Sequence, residues 1–326
     1  MGKYILRRLL WMIPIVLGVA ILVFAMMSVC PGDPAQIILG ATATEADLAA
    51  KRAELGLNNP FLVRLGDYLS QVFLRGDLGQ SWNSKVNIMG QIMERLPRTL
   101  LLSLVTLAIS FGLGIPLGIM AATHQNRWQD SVSMVFALLG VAIPNFWLAL
   151  MLILLFAVNL GWLPAMGIDS GLASYILPAL SGCMGTLASC ARQTRSSMLD
   201  VIRADYITTA RSKGVHEKDV IWKHALKNAL IPIITMLGSA FGRLLGGMII
   251  IETIFAIPGM GQLVIGAVNN RDYPVVQGGT IFLAIAFSIC MLLVDLLYAA
   301  VDPRIKAQYA SPKKPAKVKK EASASV

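Results

Sequence analysis

Charge is what this chain has least of. Only 14% of its 326 residues are Asp, Glu, Lys or Arg, against 56% hydrophobic, whereas a soluble domain carries about a quarter charged residues. The deficit falls in long uncharged runs, and mean hydropathy reaches +0.67. That pattern excludes a soluble globular protein and describes a chain that crosses a bilayer. Histidine is scarce too, with three copies, His124, His216 and His224, all between the apolar runs. A membrane enzyme needs a cluster such as His-x-x-Glu-His or a Ser–His pair at one depth, and neither can be built. The four cysteines, Cys30, Cys183, Cys190 and Cys290, have no metal or redox spacing. A Gly-x-x-x-x-Gly-Lys-Ser/Thr phosphate loop is also missing, since the one Gly-Lys pair is Gly2-Lys3. No catalytic residue, metal site or cofactor is expected.

What charge there is has a direction. The net charge is +10, which in a soluble protein would suggest nucleic acid. Here eight Lys or Arg lie between Arg192 and Lys227, seven follow Val301, and Lys3, Arg7 and Arg8 precede the first apolar run. Basic residues so placed mark the cytoplasmic ends of spans, and no nucleic-acid partner is expected. The basic N-terminus followed by an apolar run also has the shape of a secretory signal. The run to Gly32 is longer than a signal core and lacks a small-x-small cleavage site, so a retained first helix is expected.

Six spans are predicted, each of about 20 apolar residues or more, enough for roughly 30 Å of hydrocarbon. They fall near residues 9–30, 99–122, 131–158 (with a kink at Ile143-Pro144), 171–191, 229–255 and 274–300. The connection 159–174 has no Lys or Arg, and 257–273 has only Arg271, so both face outward. The N-terminus, the loop 192–228 and the C-terminal tail face inward. The chain thus divides into an inner N-terminus with the first span (1–30) and an outer segment (31–98). A five-helix core (99–310) carrying the inner loop follows, then a Pro- and Lys-rich disordered tail (311–326) lying near anionic lipid headgroups. Within the outer segment, short helices over 45–55 and 60–74 should form a small cap.

The inner loop is the most informative stretch. Leu199, Ile202, Tyr206 and Ala210 recur at helical spacing, giving a short amphipathic helix that Gly214 is placed to end. A second helix, 220–230, feeds Pro232 and the fifth span. Two short helices joined by a glycine turn can lie in the headgroup layer, or they can form a rigid plug that fits a groove on a cytoplasmic partner.

Here the sequence resembles the permease subunits of binding-protein-dependent ABC importers, in the dipeptide/oligopeptide/nickel family, and within it the B-type membrane subunit. Thr208-Thr209-Ala210-x-x-x-Gly214 stands where that superfamily has its Glu-Ala-Ala-x-x-x-Gly (EAA) coupling motif, with Thr208 for Glu and Thr209 for the first Ala. The resemblance runs along the chain through Pro31-Gly-Asp-Pro34, Leu55-Gly-Leu57, Gly76-Asp-Leu-Gly-Gln-Ser81, Leu96-Pro-Arg-Thr99 and Ile143-Pro-Asn-Phe146. It continues through His224-Ala-Leu-Lys-Asn-Ala-Leu-Ile-Pro232, Glu252-Thr-Ile-Phe-Ala-Ile-Pro-Gly-Met-Gly261, Arg271-Asp-Tyr-Pro274, Asp295-Leu-Leu-Tyr298 and Asp302-Pro-Arg304. The resemblance implies an all-α integral membrane protein of six spans in the type I ABC importer permease fold, with both termini cytoplasmic, in a prokaryotic plasma (inner) membrane. It implies a second permease subunit, as a heterodimer, two cytoplasmic ATPase subunits and an extracytoplasmic solute-binding protein. ATP hydrolysis belongs to the partners, and Asp205, Tyr206, Thr208, Thr209, Ala210, Lys213 and Gly214 form the surface that engages them. Peptides are the expected cargo, with nickel or metal chelates as the family's other option.

Three further readings concern the spans. Gly238, Gly242 and Gly246 recur every four residues, with Gly247 beside them, allowing a close helix approach within the subunit or at a subunit interface. Arg243 is a charge at membrane depth and either lines the pathway or forms a structural ion pair. Glu252, nine residues on, is about half a turn out of phase with it, and Asp295 should bond helix ends. An ion-coupled secondary transporter is the alternative class, but it favours paired intramembrane carboxylates or repeated halves with broken helices, and no repeat is visible.

Overall fold

The computed structural model describes residues 2–40 and 42–301. The tail and the Asp302-Pro-Arg304 motif lie outside the described residues. Among those described the chain is helical, with one isolated β-bridge, Gln80 to Asn87. In hydrocarbon this is expected, because a helix satisfies its own backbone. Helix α1 (Gly2–Val29) is followed by the cap helices α2 (Pro34–Leu39), α3 (Glu45–Glu54) and α4 (Phe61–Leu69), the last prolonged by a π-turn over Ser70–Leu74. The two longer cap helices lie where the sequence places them. Thr44 and Asp47 make a reciprocal capping box at the start of α3, satisfying two otherwise free N–H groups.

The core is built around α5 (Ile88–Thr123) and α8 (Ile176–Ile202), the pair in most extensive contact. One face of α5 carries Thr99, Ser103, Thr106 and Ser110, all buried. The Thr106 hydroxyl donates to the Leu102 carbonyl and that of Ser110 to the Thr106 carbonyl, both at 2.7 Å. Bonding back to their own helix satisfies the Thr106 and Ser110 hydroxyls where they face a neighbour, whereas the buried Ser103 hydroxyl has no hydrogen-bond partner among the described residues. Gly114 and Gly118 lie against Cys190, Ala191 and Thr194 of α8, and Leu102, Leu107 and Phe111 join Leu177 in the main apolar cluster.

Two expected spans come out differently. The kink expected at Ile143-Pro144 is a bend of 98° between α6 (Trp128–Ala142) and α7 (Asn145–Leu152, with a π-turn to Asn159). Pro144 has no N–H to continue the ladder, and the residue before it is driven to extended geometry: Ile143 sits at φ −78°, ψ 123°. Among the described residues five helices are therefore long and apolar enough to cross unaided, and six if the bent pair is one span.

The fifth span begins earlier and ends sooner than expected. One apolar helical stretch runs from Glu217 to Gly246, comprising α10 (Glu217–Asp219), a π-turn over Val220–Ala225 and α11 (Leu226–Gly247). Two adjacent glycines, 246 and 247, supply the weak point where it stops. The next residues form α12 (Ile249–Ile254), so Glu252 is not in the fifth span at all. After the cap-like turn come α13 (Met260–Asn269), too short to cross, and α14 (Tyr273–Val301). Helix α14 packs on α1 and α11. As expected for Asp295, it bonds helix to helix: Arg8 Nη2 of α1 lies 2.7 Å from its Oδ2.

Candidate coupling surface and pathway wall

Helix α8 does not end with the apolar run at Ala191. It continues to Ile202, so Leu199 and Ile202 belong to it and not to the amphipathic helix expected across them. The chain breaks at Arg203-Ala204 and resumes as α9 (Asp205–Ser212). The residue that anchors α9 is Ile207, fully buried in a cluster with Ile119 and Ala122 of α5, Met198 of α8, and Val220, Ala225 and Ala229 of the fifth-span stretch. Burying such a side chain contributes about 1.5–3 kcal/mol. The short helix is thus fixed to the inner ends of three core helices at once. Tyr206 is exposed, and its hydroxyl accepts from Asn228 Nδ2 at 3.0 Å.

The end of α9 is a Schellman turn. Val215 N–H donates to the Ala210 carbonyl at 3.3 Å and Gly214 N–H to that of Arg211 at 2.9 Å, with Gly214 at φ +78°, the left-handed geometry glycine adopts freely. Arg211 closes the turn by a two-pronged contact with Glu217, at 3.1 and 2.7 Å. Asp205, Tyr206, Thr208, Thr209, Lys213 and Gly214 are exposed, and Ala210 is half-buried. The expected surface residues therefore lie together on one firmly based knob.

The glycine stripe of α11 divides. Gly238 faces Val294 and Met291, and Gly242 faces the Phe287 ring, all on α14. These two serve packing within the subunit. Gly246 has nothing within 4 Å of where a Cβ would stand.

Glu252 is fully buried and caps a helix it does not belong to. Thr99 Oγ1 donates to its Oε1 at 2.6 Å, and Gln262 N–H donates to its Oε2 at 2.9 Å. Thr99 in turn accepts from Met260 N–H at 2.8 Å. The N-cap residue of α13, Gly259, has no side chain to offer, and a Cβ there would collide with the carboxylate. The negative charge meets the positive end of the helix dipole. Arg98 Nη1 reaches the Pro258 carbonyl at 3.3 Å, so the Leu96–Thr99 and Glu252–Gly261 motifs form one joint.

Arg243 is placed apart from all of this. It is exposed on the wall of a cavity of about 550 Å³ formed with Asn145 of α7, Gly182, Gly185, Thr186 and Ser189 of α8, and Met236 of α11. Among the described residues it has no ion-pair partner.

Sequence reasoning missed three features. The first is the Gly114/Gly118 contact, whose four-residue spacing in the second span carries the same signal as the stripe in the fifth. The second is a forked ion pair, Arg195 Nε and Nη2 donating to Asp130 Oδ1 and Oδ2 at 2.6 and 2.7 Å, which ties α8 to the start of α6. Its signal was a pair of opposite charges at the ends of apolar runs. The third is a latch at the outer end. Buried Asp272 accepts from the Ser81 hydroxyl and from Trp82 N–H at 3.0 Å, joining the Gly76–Ser81 and Arg271–Pro274 motifs. Beside it Arg271 Nη1 meets Cys30 Sγ at 3.4 Å and Gly32 lies against the guanidinium. Asp272→Ala should cost about 2–3 kcal/mol of local stability. Limited proteolysis within residues 75–86 should accelerate at least tenfold, and unchanged cleavage would show that the carboxylate does not hold the segment.

Comparison with known proteins agrees with this architecture. Residues 114–307 match the family described as "Binding-protein-dependent transport system inner membrane component". Residues 1–103 match its N-terminal companion, "Binding-prot-dependent transport system membrane comp, N-term". The chain is 43% identical over 306 residues to the glutathione transport system permease protein GsiC of Salmonella choleraesuis, covering 94% of this chain and 99% of that one. It is 44% identical over 313 residues to a putative peptide transport system permease protein of Brucella abortus, with the same coverages. To the dipeptide transport system permease protein DppB of Alkalihalophilus pseudofirmus it is 42% identical over 335 residues, covering 94% of this chain and all of that one. Its fold is similar to an inward-facing MetNI methionine ABC transporter chain, with TM-score 0.56, 18% identity, and 66% and 98% of the two chains covered. The helical architecture and these relatives describe one multi-pass inner-membrane transport subunit, and the chain is a member of the family of binding-protein-dependent ABC importer permeases.

Proposed function

We propose that this subunit forms half of the translocation pathway of an importer for di- and oligopeptides, driven by ATPase subunits that grip the α9 knob. The observation that carries the coupling role is the seating of Ile207 among the inner ends of three core helices. A push or pull on α9 is transmitted to α5, α8 and the fifth span together, as a bistable transport element requires. Peptide cargo is supported by three relatives, whose names specify glutathione, peptide and dipeptide transport. In this reading the second permease is a different chain, two cytoplasmic ATPase subunits occupy the inner face, and a solute-binding protein loads the outer mouth near the latched cap. Closure of the ATPases draws α9 toward the axis and tilts the core from inward-open to outward-open.

The test is purification of the tagged chain in mild detergent with mass spectrometry of its companions. ATPase subunits should accompany the native chain, and Thr208→Arg or Gly214→Val should reduce their recovery at least tenfold. Thr208 is exposed, so Thr208→Arg should melt within a few degrees of the native chain. A native chain that purifies alone and transports under an ion gradient without ATP would overturn the reading. Undiminished ATPase recovery with both variants would remove α9 from the contact.

A further inference from the structure

Three polar side chains on the wall of the 550 Å³ cavity have no internal employment. Arg243 has no ion pair or hydrogen bond among the described residues, and neither the Asn145 amide nor the Thr186 hydroxyl makes a hydrogen bond there. They come from three different helices, α11, α7 and α8, that the fold brings to one wall. The rest of that wall is made of small or apolar residues, Gly182, Gly185 and Met236 among them, and it contains no acid. Glu252, the acid nearest in sequence, has both carboxylate oxygens committed to Thr99 and Gln262. An arginine at membrane depth is costly to keep without a counter-charge or water, and this fold provides no counter-charge of its own among the described residues.

The chemistry that suits such a wall is a carboxylate. A guanidinium presents a planar fork of N–H donors that matches two carboxylate oxygens, which a lysine ammonium cannot do. Asn145 and Thr186 supply further neutral donors beside it. Small residues opposite leave room for varied side chains while one end of the cargo is held. We propose that Arg243, with Asn145 and Thr186, is a carboxylate-recognising station in the translocation pathway, which receives the free carboxyl end of a peptide released at the outer mouth. This rests on the peptide-permease reading. Arg243 lies four residues before the end of α11 at Gly247, in the outer half of the span, so it meets cargo early in its passage.

The experiment uses the whole importer, with its partner permease, ATPases and binding protein, in proteoliposomes. Uptake is measured for pairs of peptides, one with a free C-terminal carboxylate and one C-terminally amidated, chosen so that the binding protein loads both equally. The native importer should favour the free acid. Arg243→Gln should lower uptake of the free acid about tenfold and of the amide less than twofold, so that the preference collapses. Arg243→Lys, which keeps the charge and loses the fork, should lie between, and it decides the matter if Arg243→Gln fails to assemble. Equal loss of both peptides would identify Arg243 as a structural partner of an acid on the second permease and overturn the station. Unchanged uptake of both would overturn it as well. In either case ATP-driven import by the native complex leaves the permease reading intact. A native complex without ATP-driven uptake overturns that reading and the station with it.

Discussion

Gly118→Val should prevent the purified chain from melting as a single stable species, lowering its detergent stability by about 3 kcal/mol or more, at the upper end of overpacking costs. A Cβ at this position would stand 2.6 Å from the Ala191 carbonyl oxygen of α8 and within reach of the Thr194 side chain. A flexible side chain can move aside; a backbone carbonyl within a helix cannot, so α5 and α8 must separate. That separation disturbs the main apolar cluster, and at the inner end it moves Met198 and Ile119 away from Ile207. Transport should therefore fall along with stability. Gly112→Ala is the control, since nothing lies within 4 Å of its Cβ position. It should be neutral or gain up to about 0.5–1 kcal/mol through helix propensity. Thermal unfolding of both variants in one detergent decides the matter, and a Gly118→Val chain as stable as Gly112→Ala would show that the two helices are not held by close approach.

Glu252→Ala should be nearly as damaging, at about 2–4 kcal/mol, because it leaves two buried neutral donors without their acceptor. The loss has two parts. Thr99 and the Gln262 N–H are left buried without their acceptor, and α13 loses the negative charge at its N-terminus. Glu252→Gln separates them. An amide can still accept from the Gln262 N–H and donate to Thr99, so most hydrogen bonds survive and about 1–2 kcal/mol is lost with the charge. Thermal unfolding of the two variants should differ accordingly. Equal melting of Ala and Gln variants would assign the whole effect to charge, and a native-like Ala variant would contradict the capping role.

Glu252 also shows where sequence reasoning stopped short. The apolar run around it continues through Phe255, and hydropathy cannot register that Gly246-Gly247 ends the helix. Its partners are Thr99, far away in sequence, and an N–H at the start of another helix. No pattern along one strand of sequence specifies such a pairing. The Pro144 break was legible as a site, because proline removes a donor and constrains its predecessor. The size of the bend, 98°, was not, since the angle depends on what α7 packs against. Likewise the periodicity Leu199, Ile202, Tyr206, Ala210 suggested one amphipathic helix, yet the chain turns at Arg203-Ala204 and Ile207 becomes the anchor. A turn of one helix into another shifts which residue points inward, and short windows average over that.

Composition, charge placement and motif order by themselves determined that this chain is a multi-pass membrane protein and to which family it belongs. These are properties of local hydrophobicity and spacing, which a bilayer reads segment by segment. Only the tertiary structure decided what each polar or glycine residue does. It set Gly238 and Gly242 against α14, gave Glu252 to α13, joined Arg195 to Asp130 and left Arg243 open on a cavity wall. Those assignments depend on which distant helix arrives opposite, and packing in lipid settles that through close approach and buried hydrogen bonds, not through hydrophobicity.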